Sequence, residues 1–466
     1  MDKILLGLLI IDILMVVIFV TIILLKKRSS SETNEQKPTE RPNGGERPDG
    51  GERPDDCKEP DVDGEQRCKE FELIQQLNPN RDDNPENVHQ FGRSVSIDNE
   101  FAIVGAWAVD DERGAAYIYQ RNPDFAFINT ITLVGDNEGD LFGQSVSIDG
   151  NFAIIGASGV DDERGAVYIY RKNAEGIWDL EPVEILNGET EGDLFGQNVS
   201  IDGDFAIVGA SGVGNERGAA YIYQKTNQRW NPEPVATLNG ETEGGLFGFS
   251  VSIDGTSAIV GAWKIIGNRG AAYIYQKNNE GVWDLITTLN GDSTNDLFGW
   301  SVSITCNSAI ISAPNANVRQ GVIYIYEKNK QRMWDLVTSF EGIWGVGMTP
   351  NGFYGSSVSI DGNIAIVGTF CENSLFPCFS AYIYEKNCED EKGWRQTLKL
   401  EDDDVLVGAG PGRDCSVTVK DNSILVGSIY GRYGPQPIPV AKIDKWFVLR
   451  QPMGYKPGTV YFYQIV

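Results

Sequence analysis

Leu141 to Tyr170, LFGQSVSIDGNFAIIGASGVDDERGAVYIY, decides the architecture, because the same cassette returns along the chain with small changes. Its Phe-Gly anchor recurs at Phe91, Phe142, Phe195, Phe247 and Phe298, becomes Tyr354-Gly355, and decays to Arg413-Asp414, in steps of 51 to 59 residues. A period of this size marks tandem structural units, each unable to bury its own faces alone and therefore packed on the next. Seven units are countable.

Within a unit, Ser145 to Asp149 (SVSID) alternates small or polar with apolar residues at the period of two of a pleated strand. Asp149-Gly150 supplies a tight turn, and Ala153 to Ala157 returns antiparallel. A loop then leads to the GAAYIY-type run, whose Tyr and Ile suit a half-buried sheet, and a fourth run such as Trp283 to Leu289 follows. Sheets of this size bury both faces by packing radially, so the expected fold is all-β, a seven-bladed β-propeller. The last unit stops at its third strand, Gly458 to Val466, while Phe71 to Leu77 (FELIQQL) carries the fourth-strand pattern ahead of the first Phe-Gly. That N-terminal strand is expected to complete blade seven and shut the ring.

The Phe-Gly anchor, the SVSIDG hairpin, the downstream IVGA and the GAAYIY strand together resemble the FG-GAP repeat, the unit of the integrin α-subunit head and of many bacterial and protist surface proteins. The resemblance runs over residues 71–466. It implies a seven-bladed propeller used mainly for binding outside the cell. Kelch repeats would carry paired glycines and WD repeats a Trp-Asp at a strand end; neither signature fits. Integrin propellers bind calcium in a DxDxDG loop between first and second strands. Here that connection is only a short turn, as at Asp254-Gly255 and Asp361-Gly362, so the calcium site does not carry over. No cofactor is expected.

Outside the repeats, Leu5 to Leu25 is an apolar run broken only by Gly7, Asp12 and Thr21. At about 1.5 Å per residue it is long enough to cross a hydrocarbon core of about 30 Å. Lys26-Lys27-Arg28 directly after it reads as an anchor flank rather than a signal-peptide cleavage site. Residues 29–67 are rich in Pro, Gly, Glu and Asp, a composition that cannot offset chain entropy by burial and therefore reads as a disordered stalk. The expected organisation is a transmembrane anchor at 1–28, the stalk at 29–67 and the propeller at 68–466. The basic flank favours a cytoplasmic C-terminal side; long domains nevertheless translocate largely regardless of such charges, and the family resemblance favours an extracytoplasmic head. The chain is thus expected to be a single-pass membrane protein with its propeller outside.

Cysteine usage leaves two readings open. Cys57 with Cys68, Cys371 with Cys378 and Cys388 with Cys415 could form three disulfides with Cys306 left over, or all seven could be thiols. The sequon Asn198-Val199-Ser200 falls in an inner strand, so it reads as strand rather than as a glycan site. A net charge of −27 argues against nucleic acid as partner.

Acidic residues collect in two loops that share a rim: Asp136, Asp140, Asp193, Asp292 and Asp296 in the loops entering blades, and Asp110, Asp111, Glu112, Asp161, Asp162 and Glu163 after second strands. A weak calcium site between them competes with the plainer reading that Asp satisfies turn backbones. More informative is what breaks the repeat. The position after Phe-Gly is Arg93, Gln144, Gln197, Phe249, Trp300 and Ser356 in blades one to six; the position after the second strand is Trp107, Ser158, Ser211, Trp263, Pro314 and Phe370. Blades four and five turn aromatic, and the loop after Trp263 adds Ile265 and Ile266 where other blades carry aspartates. Phe249, Trp263, Ile265, Ile266 and Trp300 therefore form the expected partner-binding patch, with a protein or glycan as ligand. The plainer reading is that they fill a gap or cover the central channel. A propeller enzyme, such as a glycosidase using carboxylates near the channel, is the competing class; the sole histidine, His89, has no catalytic companion, and no enzyme activity is expected. The function expected is membrane-anchored surface binding or adhesion, the alternative a cytoplasm-facing, membrane-tethered scaffold.

Overall fold

The computed structural model describes residues 71–77, 90–123, 126–342, 352–371, 379–386, 393–401, 415–421, 423–432 and 455–465. The apolar run Leu5 to Leu25, the stalk at 29–67, His89, Cys57, Cys68, Cys378 and Cys388 lie outside them. Among the described residues no helix is long and apolar enough to cross a membrane.

Seven antiparallel sheets form, each a meander whose first strand is innermost and lines a shared central channel. Blade one comprises Ser94–Ile97, Phe101–Ala106, Ala115–Arg121 and Phe127–Val134; blade four comprises Ser250–Asp254, Ser257–Ala262, Ala271–Lys277 and Trp283–Asn290. Blade seven takes three strands from the C-terminal end, Cys415–Lys420, Ser423–Arg432 and Tyr455–Ile465, and its outer strand from Phe71–Leu77. The expected closure is therefore observed: Phe71 pairs with Ile465 and Leu77 with Val460.

The Phe of each Phe-Gly is a wedge between blades. Phe142 is 1% exposed and packs among Phe101, Ile103 and Leu133 of blade one and Ile155 and Tyr168 of blade two. Its ring meets Tyr168 edge-on at 5.3 Å, and the Phe91–Tyr117 and Phe298–Tyr324 pairs repeat the geometry at 5.2 and 5.3 Å. Burial of one such ring stabilises by about 2–3 kcal/mol, so the repeat places an equal increment at successive blade junctions. The glycines allow the approach. A Cβ at Gly156 would land on the carbonyl oxygen of Gly196 in the next blade, and one at Gly209 on that of Gly248.

The inner-strand serines have a second role that alternation alone does not show. Ser94 and Ser96 accept from the backbone N–H groups of Val146 and Ile148 in blade two at 3.0 and 3.1 Å. The pattern passes from blade to blade and reaches blade seven, where Val417 and Val419 donate to Ser357 and Ser359 at 3.2 and 3.1 Å. Neighbouring inner strands share no sheet, and the hydroxyl supplies the acceptor that a ladder carbonyl would otherwise give. In blade three Asn198 takes the serine's place, its Oδ1 accepting from Val251 N at 2.8 Å. Its side-chain oxygen is thus committed to the junction with blade four.

Two cysteine expectations are corrected. Cys306, expected to be left over, is disulfide-bonded; it sits half-buried in the turn between Val302–Ile304 and Ser308–Ala313. Cys415, which one of the two readings paired with Cys388, is a thiol 3% exposed. It opens the inner strand of blade seven with its side chain in the apolar core shared with Ile366 and Val417, which turns the sulfur away from the loops.

Candidate partner-binding rim

In blades one to five the second strand runs into a left-handed turn. In blade one Asp110, Asp111 and Glu112 have φ of 48°, 54° and 66°; in blade two Asp161, Asp162 and Glu163 have 50°, 56° and 64°. Asp, Asn and Gly tolerate this region because their side chains are short or absent, which is the local reason for the repeated DDE and GNE. The turn's carbonyls hold the loop that enters the next blade: Gly139 N and Leu141 N donate to Asp111 O and Glu112 O at 3.2 and 2.9 Å. In blade four, Asn295 N and Leu297 N likewise donate to Gly267 O and Asn268 O at 3.1 and 2.9 Å, so this turn fixes the approach to Trp300.

Several of the acidic residues on this rim have local occupations. Asp140, Asp193 and Asp296 each accept from a backbone N–H three residues earlier, on Asn137, Thr190 and Ser293, at 2.8, 2.8 and 2.7 Å. Tyr324 donates its hydroxyl to Asp292 at 2.9 Å, and burial pushes that phenol well above its ordinary range. Arg164 lies 3.9 Å from Asp161, an exposed pair worth little. Among the described residues no group of three or more His, Cys, Asp or Glu is arranged to hold a metal ion.

Blades two and three close the corner between inner and second strands with a polar pair: Ser158 donates to Gln144, and Ser211 to Gln197, with both serines 1% exposed. Blade four replaces the pair with two rings. Phe249 meets Trp263 at 5.8 Å, 78° between planes, and Trp300 of blade five stacks obliquely on both, 5.0 Å from Phe249 and 5.3 Å from Trp263. All three are partly exposed. The register explains the meeting, since Ser250 pairs with Gly261 and brings the residues flanking them to one end of the hairpin. The three aromatic residues expected to converge do so.

The two isoleucines part company. Ile265 is 7% exposed in the core with Ala262, Ala271 and Trp283, so its expected place on the binding surface is corrected to an anchor beneath it. The signal was in the repeat: Val109, Val160 and Val213 occupy the same position at the head of their turns. Ile266, by contrast, is 62% exposed with φ of 49°, and Val318 follows suit in blade five at 80% and 58°. A β-branched residue in the left-handed region is sterically costly, and both stand where other blades keep Asp, Asn or Gly. Lys264 beside Trp263 reaches Glu216 of the preceding blade at 2.6 Å.

Comparison with protein families matches the FG-GAP repeat in four segments, residues 83–119, 127–170, 187–223 and 237–275, which fall in blades one to four. No curated protein matches the chain. With the seven sheets of the structure, these matches make the head a β-propeller built from units similar to the FG-GAP repeat.

Proposed function

We propose that this chain is a binding protein of a cell or particle surface, held by a single N-terminal membrane span and presenting its propeller outside on a flexible stalk. Recognition of a protein or glycan falls to the corner formed by Phe249, Trp263 and Trp300, with Ile266 on the turn that follows. The observation that carries this reading is the replacement of two closed polar corners, Gln144 with Ser158 and Gln197 with Ser211, by a partly exposed three-ring cluster. Aromatic clusters of this kind supply large apolar area at low entropic cost, which is why they dominate binding hot spots. Blades are rigid and their loops are braced by the turns before them, so the head acts as a display platform rather than as a catalyst.

The test is Trp263→Ala with Trp300→Ala in the full chain, assayed on intact cells and on purified glycans. A hot spot of about 2 kcal/mol per residue predicts loss of binding by about thirtyfold for each substitution and several hundredfold for the pair, with far-UV circular dichroism unchanged. Unchanged binding would remove this corner from the reading.

One observation favours a second reading of placement. Lys26-Lys27-Arg28 follows the apolar run, and such a flank favours a cytoplasmic head, which would make the protein a membrane-tethered scaffold. Protease treatment of a C-terminal tag decides: cleavage on intact cells supports the surface role, and protection until permeabilisation supports the scaffold.

A further inference from the structure

The opposite mouth of the channel is built from the turn residue that ends each inner strand. Blades one to four contribute Asp98, Asp149, Asp202 and Asp254, and blade six Asp361. Blade five breaks the series with neutral Thr305, and blade seven reverses it with Lys420. Within the ring lies a cavity of about 120 Å³ lined by all seven inner strands. All five carboxylates spend an oxygen on the neighbouring blade: Asp98, Asp149 and Asp202 accept from Gly150, Gly203 and Gly255 N–H groups at 2.9, 2.9 and 2.8 Å, Asp361 from Asp421 at 2.6 Å, and Asp254 from the backbone N–H of Cys306.

Lys420 does something different. Its Nζ lies 4.0 Å from Asp361 Oδ1 in the adjacent blade and 3.6 Å from Asp202 Oδ1 in blade three, so it reaches over the channel instead of along the ring. Blade seven is the one assembled from both ends of the propeller, and this ammonium joins it to a blade that shares no strand with it. We propose that the lower mouth is a proton-responsive latch: Lys420 ties blade seven to blades three and six, and protonation of the surplus carboxylates around it tightens the closed ring.

The charge arithmetic is one-sided. Asp149, Asp202, Asp254 and Asp361 line the cavity with a single ammonium among them. Asp421 adds its repulsion to Asp361, and Asp149 acts likewise on Asp98, while Arg121 is a cation that feels both Asp98 and Asp421. Glu100 and Asp204, in the hairpin turns of blades one and three, are served by Lys172 and Lys225 at 3.3 and 3.6 Å and leave the imbalance in place. Burial, then repulsion from Asp202, raises Asp254 to about 6, against the opposing pull of Lys420. Burial likewise lifts Asp98 and Asp361 above the ordinary carboxylate range. Burial alone would lower Lys420, but Asp361, Asp202, Asp254 and Asp149 outweigh it and hold the ammonium above its ordinary value, so it stays charged while the carboxylates titrate.

A carboxyl with its folded pKa above the unfolded value penalises the fold fully at high pH, and the penalty fades as pH falls through the folded pKa toward the unfolded one. The latch should therefore strengthen between about pH 7 and pH 5. Thermal unfolding of the solubilised full chain, followed by tryptophan fluorescence from about pH 8 to pH 5, is the experiment. The midpoint should rise by about 2–4 °C on acidification. Asp254→Asn, which keeps an acceptor for the neighbouring blade, should flatten that rise. Lys420→Met should lower the midpoint at neutral pH and move the rise to higher pH, because the ion opposing Asp254 protonation is gone; Lys420→Arg should restore the wild-type curve. A wild-type midpoint flat over this range, an Asp254→Asn curve as steep as wild type, or a rise left in place by Lys420→Met would each overturn the latch.

Discussion

Gln75 and Phe127 exchange two hydrogen bonds between the outer strand of blade seven and the outer strand of blade one. Gln75 Nε2 donates to the Phe127 carbonyl at 2.9 Å, and Phe127 N donates back to Gln75 Oε1 at 2.6 Å. A side chain in the outer strand of blade seven thus mimics one step of a sheet ladder with the outer strand of blade one. Nearby, the Arg121 guanidinium lies 5.2 Å from both the Phe127 and Phe462 rings and donates to Ser423 Oγ at 2.6 Å. Gln75 and Phe127 both belong to the N-terminal end of the propeller, whereas Ser423 and Phe462 come from its C-terminal end, so Arg121 is the side chain that spans the two.

Gln75→Ala removes both bonds and leaves the Phe127 amide without its acceptor. We expect a loss of about 1–3 kcal/mol. The distinctive readout is local: limited proteolysis should release the segment carrying Phe71–Leu77 before any other cut, since local opening draws on the weakest junction. Proteolysis that begins in blades two to four would place the weak junction elsewhere.

Gly209 is the second expected point of failure. An added methyl would meet the carbonyl oxygen of Gly248, and neither backbone can yield without parting blades three and four. Gly209→Ala should cost about 3 kcal/mol or more, beyond ordinary overpacking, because the obstacle is main chain. Gly150→Ala is the control. Its Cβ meets nothing, and its φ of 56° restricts the cost to about 1–2 kcal/mol of backbone strain. Equal melting temperatures for the two variants would contradict this account of the paired glycines.

How much of this could be read beforehand depends on whether a residue's partner repeats. The seven units, the strand order and the strand Phe71–Leu77 follow from a pattern that recurs, as does the meeting of Phe249 with Trp263, because hairpin register transmits it. The serine girdle does not follow from alternation: Ser94 looks like any small strand residue, and its acceptor role depends on an amide 52 residues later. Asp254 reads as a turn former in its own hairpin and becomes part of a ring only when seven hairpins converge. Lys420 reads as a lapse in the decayed last repeat, and nothing local announces that it reaches Asp202. Ile265 is legible, because Val109, Val160 and Val213 mark its position as an anchor, whereas hydrophobicity alone does not separate it from Ile266. Cys306 has no motif around it that names a partner.

Ile266 is where stability and binding should pull apart. Its φ of 49° costs about 1–2 kcal/mol relative to a residue suited to that region, and its side chain, 62% exposed, recovers little by burial. Asn317 occupies the same turn position in blade five with φ of 50°, so Ile266→Asn substitutes a residue the fold already uses there. We expect this variant to melt higher than wild type, by a shift matching about 1 kcal/mol, with the spacing of Phe249, Trp263 and Trp300 unchanged. Strain kept at an exposed apolar residue beside an aromatic cluster is explained if that residue contacts a partner, and then the more stable variant should bind more weakly. A variant that is both more stable and an undiminished binder would show that Ile266 contributes nothing to recognition, and would leave the three rings alone as the site.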